Sequence, residues 1–360
     1  MFLHYVYSIN SEKRYNLEFE IQNPIFHMNN RIFLSGIFLL FLFASCKTDN
    51  RFKIDTTENV EVTIKRIDKQ VLAMDTADIL SGINALSAEY PEFFADYVDI
   101  WELLPADTTE ICQLFREFLT DTMLVAVHAD ASRVFDDVSS IERKISTGYA
   151  YLNHYFPEVK LPEIYFFVAG FNRSLMQGSS FLGIGADLYI SRDYQRYKML
   201  AYDYLLYNMD PESIPVDVIS TILVNVFKKQ GNEDRLLDNM LYQGKILYLL
   251  SVFLPDERKE NIAGYTSEQL KWCERHEKAI WGTIIDQKDL FSSDYQLVRK
   301  YMIDAPFTAP ISQESPGRLG AWIGWQIVNS YMQRNQKVSL RDLMIENDSQ
   351  RLLEQSGYRP

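Results

Sequence analysis

Apolar and polar positions divide the chain into an apolar leader, a helical first half, a short β-rich stretch and a second helical half. Residues 32–44 (IFLSGIFLLFLFA) carry no charge. Over 59–67, Val60, Val62, Ile64 and Ile67 alternate with charged residues, which is the period of a strand. From 68 to about 155 the period becomes helical. Leu72, Ile79, Leu86 and Phe93 recur at heptad-like spacing, Leu114, Phe115, Phe118 and Leu119 follow, and 140–156 predicts an amphipathic helix closed by Pro157. Residues 163–169 (EIYFFVA) and 181–191 (FLGIGADLYIS) predict strands, with 170–180 as the loop between them. After Asp210 and Pro211 helices resume. The almost wholly apolar 214–227 predicts a central buried helix, 235–253 follows it, and the charged 256–260 (DERKE) predicts a solvated turn. Thr266 to Gln269 (TSEQ) is a capping box opening a helix over 268–286. Ser315 and Pro316 predict the cap and first turn of a helix over 317–332. That helix sets Gly317, Gly320 and Gly324 on one face, at about 1 kcal/mol of helix propensity each. Close approach of a neighbouring helix or backbone is the expected compensation. No repeat or Gly/Ser linker divides 60–360, so the expectation is an α+β, predominantly helical single domain with a small β-sheet.

The leader is too short to span a bilayer, which takes roughly 20 apolar residues, and has the size of a signal-peptide core. Met28 and Arg31 precede it, and Ala44, Ser45 and Cys46 end it as a bacterial lipobox would. Translation is therefore expected to start at Met28, with 1–27 a mis-assigned extension, 28–45 a lipoprotein signal peptide, 46–58 a lipidated tether and 59–360 the folded domain. Acylation of Cys46 would hold that domain on a lipid bilayer. Lys and Arg total 36 against 49 Asp and Glu, a formal charge of −13, which argues against nucleic acid as a partner. Three cysteines without CxxC spacing exclude a disulfide framework and a thiolate-rich metal site.

Familiar catalytic patterns are incomplete. His276 and Glu277 begin HExxH, but Ile280 stands where the second histidine must be. Cys273 and His276 share a helical face without an evident orienting group. Gly183 and Gly185 lack the third glycine of a dinucleotide loop, and Leu182 breaks a nucleophile elbow after Gly178. Asp187, Glu277 and Glu314 could pair as acid and base, a weak signal among 49 acidic residues. The distinctive segment is 305–308 (APFT) with 314–325, read as a loop docking on a tightly packed helix whose first turn presents Arg318 and aromatics.

These residues resemble the GldB family of gliding-motility lipoproteins of Bacteroidota. The likeness runs through 64–68 (IKRID), 155–157 (YFP) and 183–189 (GIGADLY), where Ala186 replaces the family's usual Leu. It continues through Gly244 and Lys245 before Leu247 and Tyr248, 264–266 (GYT) with Leu270 and Trp272, Glu277 and Trp281, 305–308, 314–331 and 357–360 (GYRP). The resemblance implies a lipid-anchored, periplasm-facing envelope protein, on the inner or the outer membrane, associated with a motility machinery and its linked secretion system. It also implies a zincin-like fold whose best candidate active-site helix, 214–227, has no His or Glu. The expectation is a non-catalytic protein with no metal or cofactor, which binds or organises envelope protein partners. Its groove would comprise Asp187, Tyr189, Glu277, Trp281, Glu314, Arg318, Trp322 and Trp325, with Arg318 holding a carboxylate and Trp322 or Trp325 stacking on a peptide or sugar. The alternatives are an envelope hydrolase acting on protein or peptidoglycan, and an assembly lipoprotein that uses no cleft.

Overall fold

A small mixed sheet divides the interior of the computed structural model, which describes residues 50–54, 60–100, 107–229 and 234–360. The signal peptide, Cys46, the extension 1–27 and most of the tether lie outside the described residues. The strands are β1 (Ile64–Arg66), β2 (Glu163–Phe167), β3 (Leu175–Gln177) and β4 (Phe181–Gly185), in the spatial order β1-β2-β4-β3. β1, β2 and β4 are parallel, and β3 runs antiparallel to β4 at the edge. A parallel pair needs a long crossover. Between β1 and β2 it consists of α1 (Ile67–Leu72), α2 (Ile79–Glu89), α3 (Pro91–Asp99), α4 (Thr108–Thr120), α5 (Thr122–Val134) and α6 (Ser139–Tyr155).

Both faces of the sheet are covered, so β2 is a nearly continuous apolar run rather than an alternating one. Ile164, Phe166, Leu182 and Ile184 point into the larger core, while Tyr165, Phe167, Phe181 and Met176 point into the smaller. The smaller core, lined by α1 to α4, is built around Phe93. Its ring lies 5.2 to 6.0 Å from those of Tyr97, Tyr165, Phe181 and Phe167. The larger core lies under the second half of the chain: α7 (Asp203–Leu206), α8 (Ile214–Val226), α9 (Leu236–Phe253), α10 (Lys259–Ala263), α11 (Ser267–Asp286), α12 (Tyr295–Met302), α13 (Leu319–Arg334), α14 (Leu340–Ile345) and α15 (Ser349–Ser356). The expected compensation for the glycines is present. Gly324 of α13 meets the backbone of α9 at Met240, and Gly244 of α9 meets α13 at Gly324 and Trp325. No helix among the described residues is long and apolar enough to cross a membrane.

The α+β, predominantly helical class holds, with local corrections. The first strand is confined to Ile64–Arg66, and Ile67 already begins α1. The heptad-like run is three helices: Asp78 caps α2 by accepting from the Ser81 N–H, and Tyr90 with Pro91 ends α2 and opens α3. The segment read as a loop over 170–180 contains β3, a three-residue edge strand too short to show a period. Phe181–Ser191 does not run on as a strand, because after Gly185 the chain enters a 3-10 turn, Ala186–Leu188. Within the expected solvated turn, the Glu257 side chain is buried and paired with Lys144 at 2.7 Å. Phe52 and Ile54, inside the expected tether, are buried in the larger core.

Candidate functional site

The start of α13 departs most from expectation. Ser315 does not cap it; its hydroxyl donates to the Ser312 carbonyl and accepts from the Thr308 N–H. The cap comes instead from Thr308, eleven residues before the helix. Its fully buried hydroxyl donates to the Pro316 carbonyl at 2.8 Å and accepts from the Leu319 N–H at 3.3 Å. The Tyr265 hydroxyl donates to the Gly317 carbonyl at 2.7 Å, and Gly317 sits against the Ala305 backbone, where a side chain would clash. The expected docking of 305–308 on the helix is therefore present. Held between these clamps, Arg318 adopts a left-handed backbone with φ 60°. For a non-glycine residue this costs roughly 1–2 kcal/mol, and such strain is concentrated at functional positions.

The Arg318 side chain, 22% exposed, points into a polar cluster. Its Nη1 donates to Asp304 Oδ1 at a long 3.5 Å. Asn208 and Gly264 border it; a Cβ at Gly264 would lie only 3.2 Å from Nη1, so glycine there leaves room for the guanidinium. Asp217, near the start of α8, faces the same charge. Its Oδ2 accepts from the Tyr189 hydroxyl at 2.8 Å. Burial pushes the Asp217 carboxyl up to about 6, against the pull of the Tyr189 bond and the Arg318 charge. Arg318 itself is held more firmly charged than usual: burial opposes the charge, but Asp304, Tyr265 and Asp217 outweigh it.

Asp187 lies two residues before Tyr189 and is completely buried. Gly170 and Phe171 are both left-handed, with φ 61° and 66°, and curl the backbone after β2 around its carboxylate. Oδ2 accepts from the N–H groups of Phe171 at 2.7 Å and Ala169 at 3.3 Å, a backbone nest filled by the protein's own anion. Oδ1 has no partner among the described residues. Burial raises this carboxyl to about 6 despite the N–H bonds. The nest explains why β4 turns at Gly185: the following residues deliver Asp187 to the loop after β2.

The other expected groove residues lie elsewhere. Glu277 accepts from the Tyr358 hydroxyl at 2.7 Å and Trp281 packs edge-on against the same ring, so their contacts hold the C-terminal segment. Glu314 is exposed on the turn before α13. Trp322 and Trp325 are buried within α13 and present no face for a ligand to stack on. Their apolar bulk fills the core beside α9. The Cys273 thiol is fully buried and pushed up by desolvation, the opposite of an activated nucleophile, and His276 is bonded to the Trp272 carbonyl at 2.8 Å. Among the described residues no three His, Cys, Asp or Glu side chains gather where they could share a metal ion.

Asp217 and Asp304 were not identified from sequence, and Thr308 was singled out only as part of the docking segment 305–308, not as the cap of α13. Asp217 had a usable signal, since it is the one charged residue in the apolar stretch 214–227. Removing its partner with Tyr189→Phe is expected to cost about 1–2 kcal/mol, because a partly buried carboxylate loses its hydroxyl donor. Urea unfolding indistinguishable from wild type would show that the bond carries no net stability.

A sequence model of the GldB lipoprotein family, described as gliding motility protein GldB, matches residues 48–360. No curated protein matches the chain, and no solved structure does.

Proposed function

The chain belongs to the GldB family of gliding motility proteins, and from that premise we propose that it is an envelope-anchored, non-catalytic lipoprotein that holds an acidic group of a partner protein at Arg318. Acylated Cys46 would supply the anchor, with the domain facing the periplasm and the partner drawn from the motility and secretion machinery. The observation that carries the reading is the state of Arg318. Its backbone is strained and clamped on both sides, yet among the described residues its guanidinium has one long hydrogen bond. A guanidinium offers five N–H donors in a planar fork suited to a carboxylate. The scaffold is proposed to be zincin-like, with α8 in the place of the active-site helix. The mixed sheet packed against helices supports this, as does the position of Asp217 on α8.

The test is site-specific photo-crosslinking in the native envelope from Ile303, which is exposed next to Asp304. A partner adduct is expected, with its yield reduced about tenfold or more in Arg318→Ala, the loss of one charge-assisted bond of about 1.5–3 kcal/mol. Arg318→Lys should restore it only in part, since an ammonium keeps the charge but not the fork. An undiminished adduct from a folded Arg318→Ala protein would refute the reading.

One observation favours the alternative of an envelope hydrolase. Asp187 and Asp217, joined through the Ala186–Tyr189 turn, are both raised to about 6, where a carboxyl can exchange a proton near neutrality. Cleavage of protein or peptidoglycan that is abolished by Asp217→Asn would establish it.

A further inference from the structure

A separate cavity of about 140 Å³ opens beside the middle of α9. Its walls come from the end of α8, from α9 and from the α14–α15 turn, with Leu241, Met344 and Leu352 supplying apolar surface. Lys245 is placed in it. α9 is buried on nearly every face, and a leucine would satisfy packing at this position, yet the chain places an ammonium there that is only 7% exposed. Buried charges are costly unless paired. The one acceptor recorded for Lys245 is the Glu346 backbone carbonyl, leaving two of its three N–H donors without an acceptor among the described residues.

The other charges of the cavity do not compensate it. The Asp238 carboxylate is occupied by a fork from Arg235, at 3.0 and 3.2 Å. Glu346 is engaged by Arg351, with Nε at 3.1 Å, although its charge still favours the protonated amine. Lys229 is turned to Asp234 and Asn239. Lys228 is exposed and has no ion-pair partner among the described residues. Each acid has its own base, and an excess of positive charge remains at Lys245 in a protein whose overall charge is −13.

We propose that this cavity binds a small monocarboxylate with a short apolar body, with the Lys245 ammonium as its counter-charge and Leu241, Met344 and Leu352 around its hydrocarbon. A monoanion matches the single buried cation, and the apolar side of an otherwise mostly polar lining leaves room for a short alkyl chain. Burial pushes the amine down to about 8, so an anion that needs the protonated form binds more weakly as pH rises through that value. Neighbouring Tyr242 is itself raised by burial and does not titrate in that range.

Calorimetric titration of the full chain in detergent with acetate, butyrate and hexanoate tests this. Affinity is expected to increase with chain length, to fall at least tenfold in Lys245→Met and to fall between pH 7 and 9. Methionine replaces a buried charge by an apolar side chain of similar length, so this variant should melt cooperatively and no lower than wild type. Absence of hexanoate binding, equal binding by a cooperatively melting Lys245→Met protein, or displacement of hexanoate by equimolar inorganic phosphate would each overturn the assignment. The Arg318→Ala protein should bind hexanoate as wild type does; loss of binding there would move the ligand to the other cationic site and also overturn it.

Discussion

Gly324→Ala is expected to destabilise the protein by about 3 kcal/mol, although alanine is the better helix former. At most exposed helical sites that exchange gains about 1 kcal/mol. At Gly324 the added methyl would overlap the Met240 carbonyl, a backbone atom within α9 that cannot turn aside as a side chain can. The two helices would have to separate, and with them the packing of Trp322, Trp325, Leu241 and Tyr248 in the larger core. Overpacking of this kind costs typically 1–3 kcal/mol, occasionally more. The internal control is Gly282→Ala on α11, where a methyl meets nothing within 4 Å and the propensity gain should appear undiminished. Thermal melts of the pair therefore diverge in sign, with Gly324→Ala lower by on the order of 5 °C or more. Should both variants melt at or above the wild-type temperature, the close crossing of α9 and α13 is wrong.

The second large effect is a pH dependence at Asp187. Its carboxyl is raised from 3.8 to about 6 in the folded protein, so between those values the folded state binds more protons than the unfolded. The stabilisation is fully present below about 4 and is lost as pH rises through 6. At about 1.4 kcal/mol per pKa unit the loss is about 3 kcal/mol. His128 acts in the opposite sense. Burial lowers its imidazole to about 4, so it contributes stability that increases with pH up to its unfolded value. Asp217, raised to about the same value, adds to the Asp187 loss, so a raw stability curve sums all three groups and the variant isolates one. Asp187→Asn keeps an amide oxygen for the Phe171 and Ala169 N–H groups and removes the titration. Relative to wild type, it should gain about 3 kcal/mol between pH 4 and pH 7 in urea unfolding. A difference that stays constant across that range would mean that Asp187 does not titrate there.

The stretches legible in the sequence were those whose signal is local. The capping box at Thr266 and Gln269 forms as expected because its partners are three residues apart. The stretch 214–227 reads as a buried helix because nearly every side chain in it is apolar, and it folds as Ile214–Val226. The glycines of α13 signalled a close helix contact through their propensity cost alone. Local chemistry misled where a distant group competed for the same role. Ser315 has the residue type and the following proline of an N-cap, but Thr308 reaches the helix first and Arg318 takes the left-handed turn. A strand from Phe181 to Ser191 is equally plausible by composition, but the nest around Asp187 ends it at Gly185.

The helical class with its small sheet, the family, and Arg318 as a residue of interest were legible along the chain, because periodicity, capping and motif are properties of neighbouring residues. Which carboxylates face Arg318, that Trp322 and Trp325 belong to the core, and that Lys245 stands in a cavity whose acids are already paired became visible only in the folded chain. Those outcomes depend on burial and on charge balance among residues tens to hundreds of positions apart, which only packing brings within reach of one another.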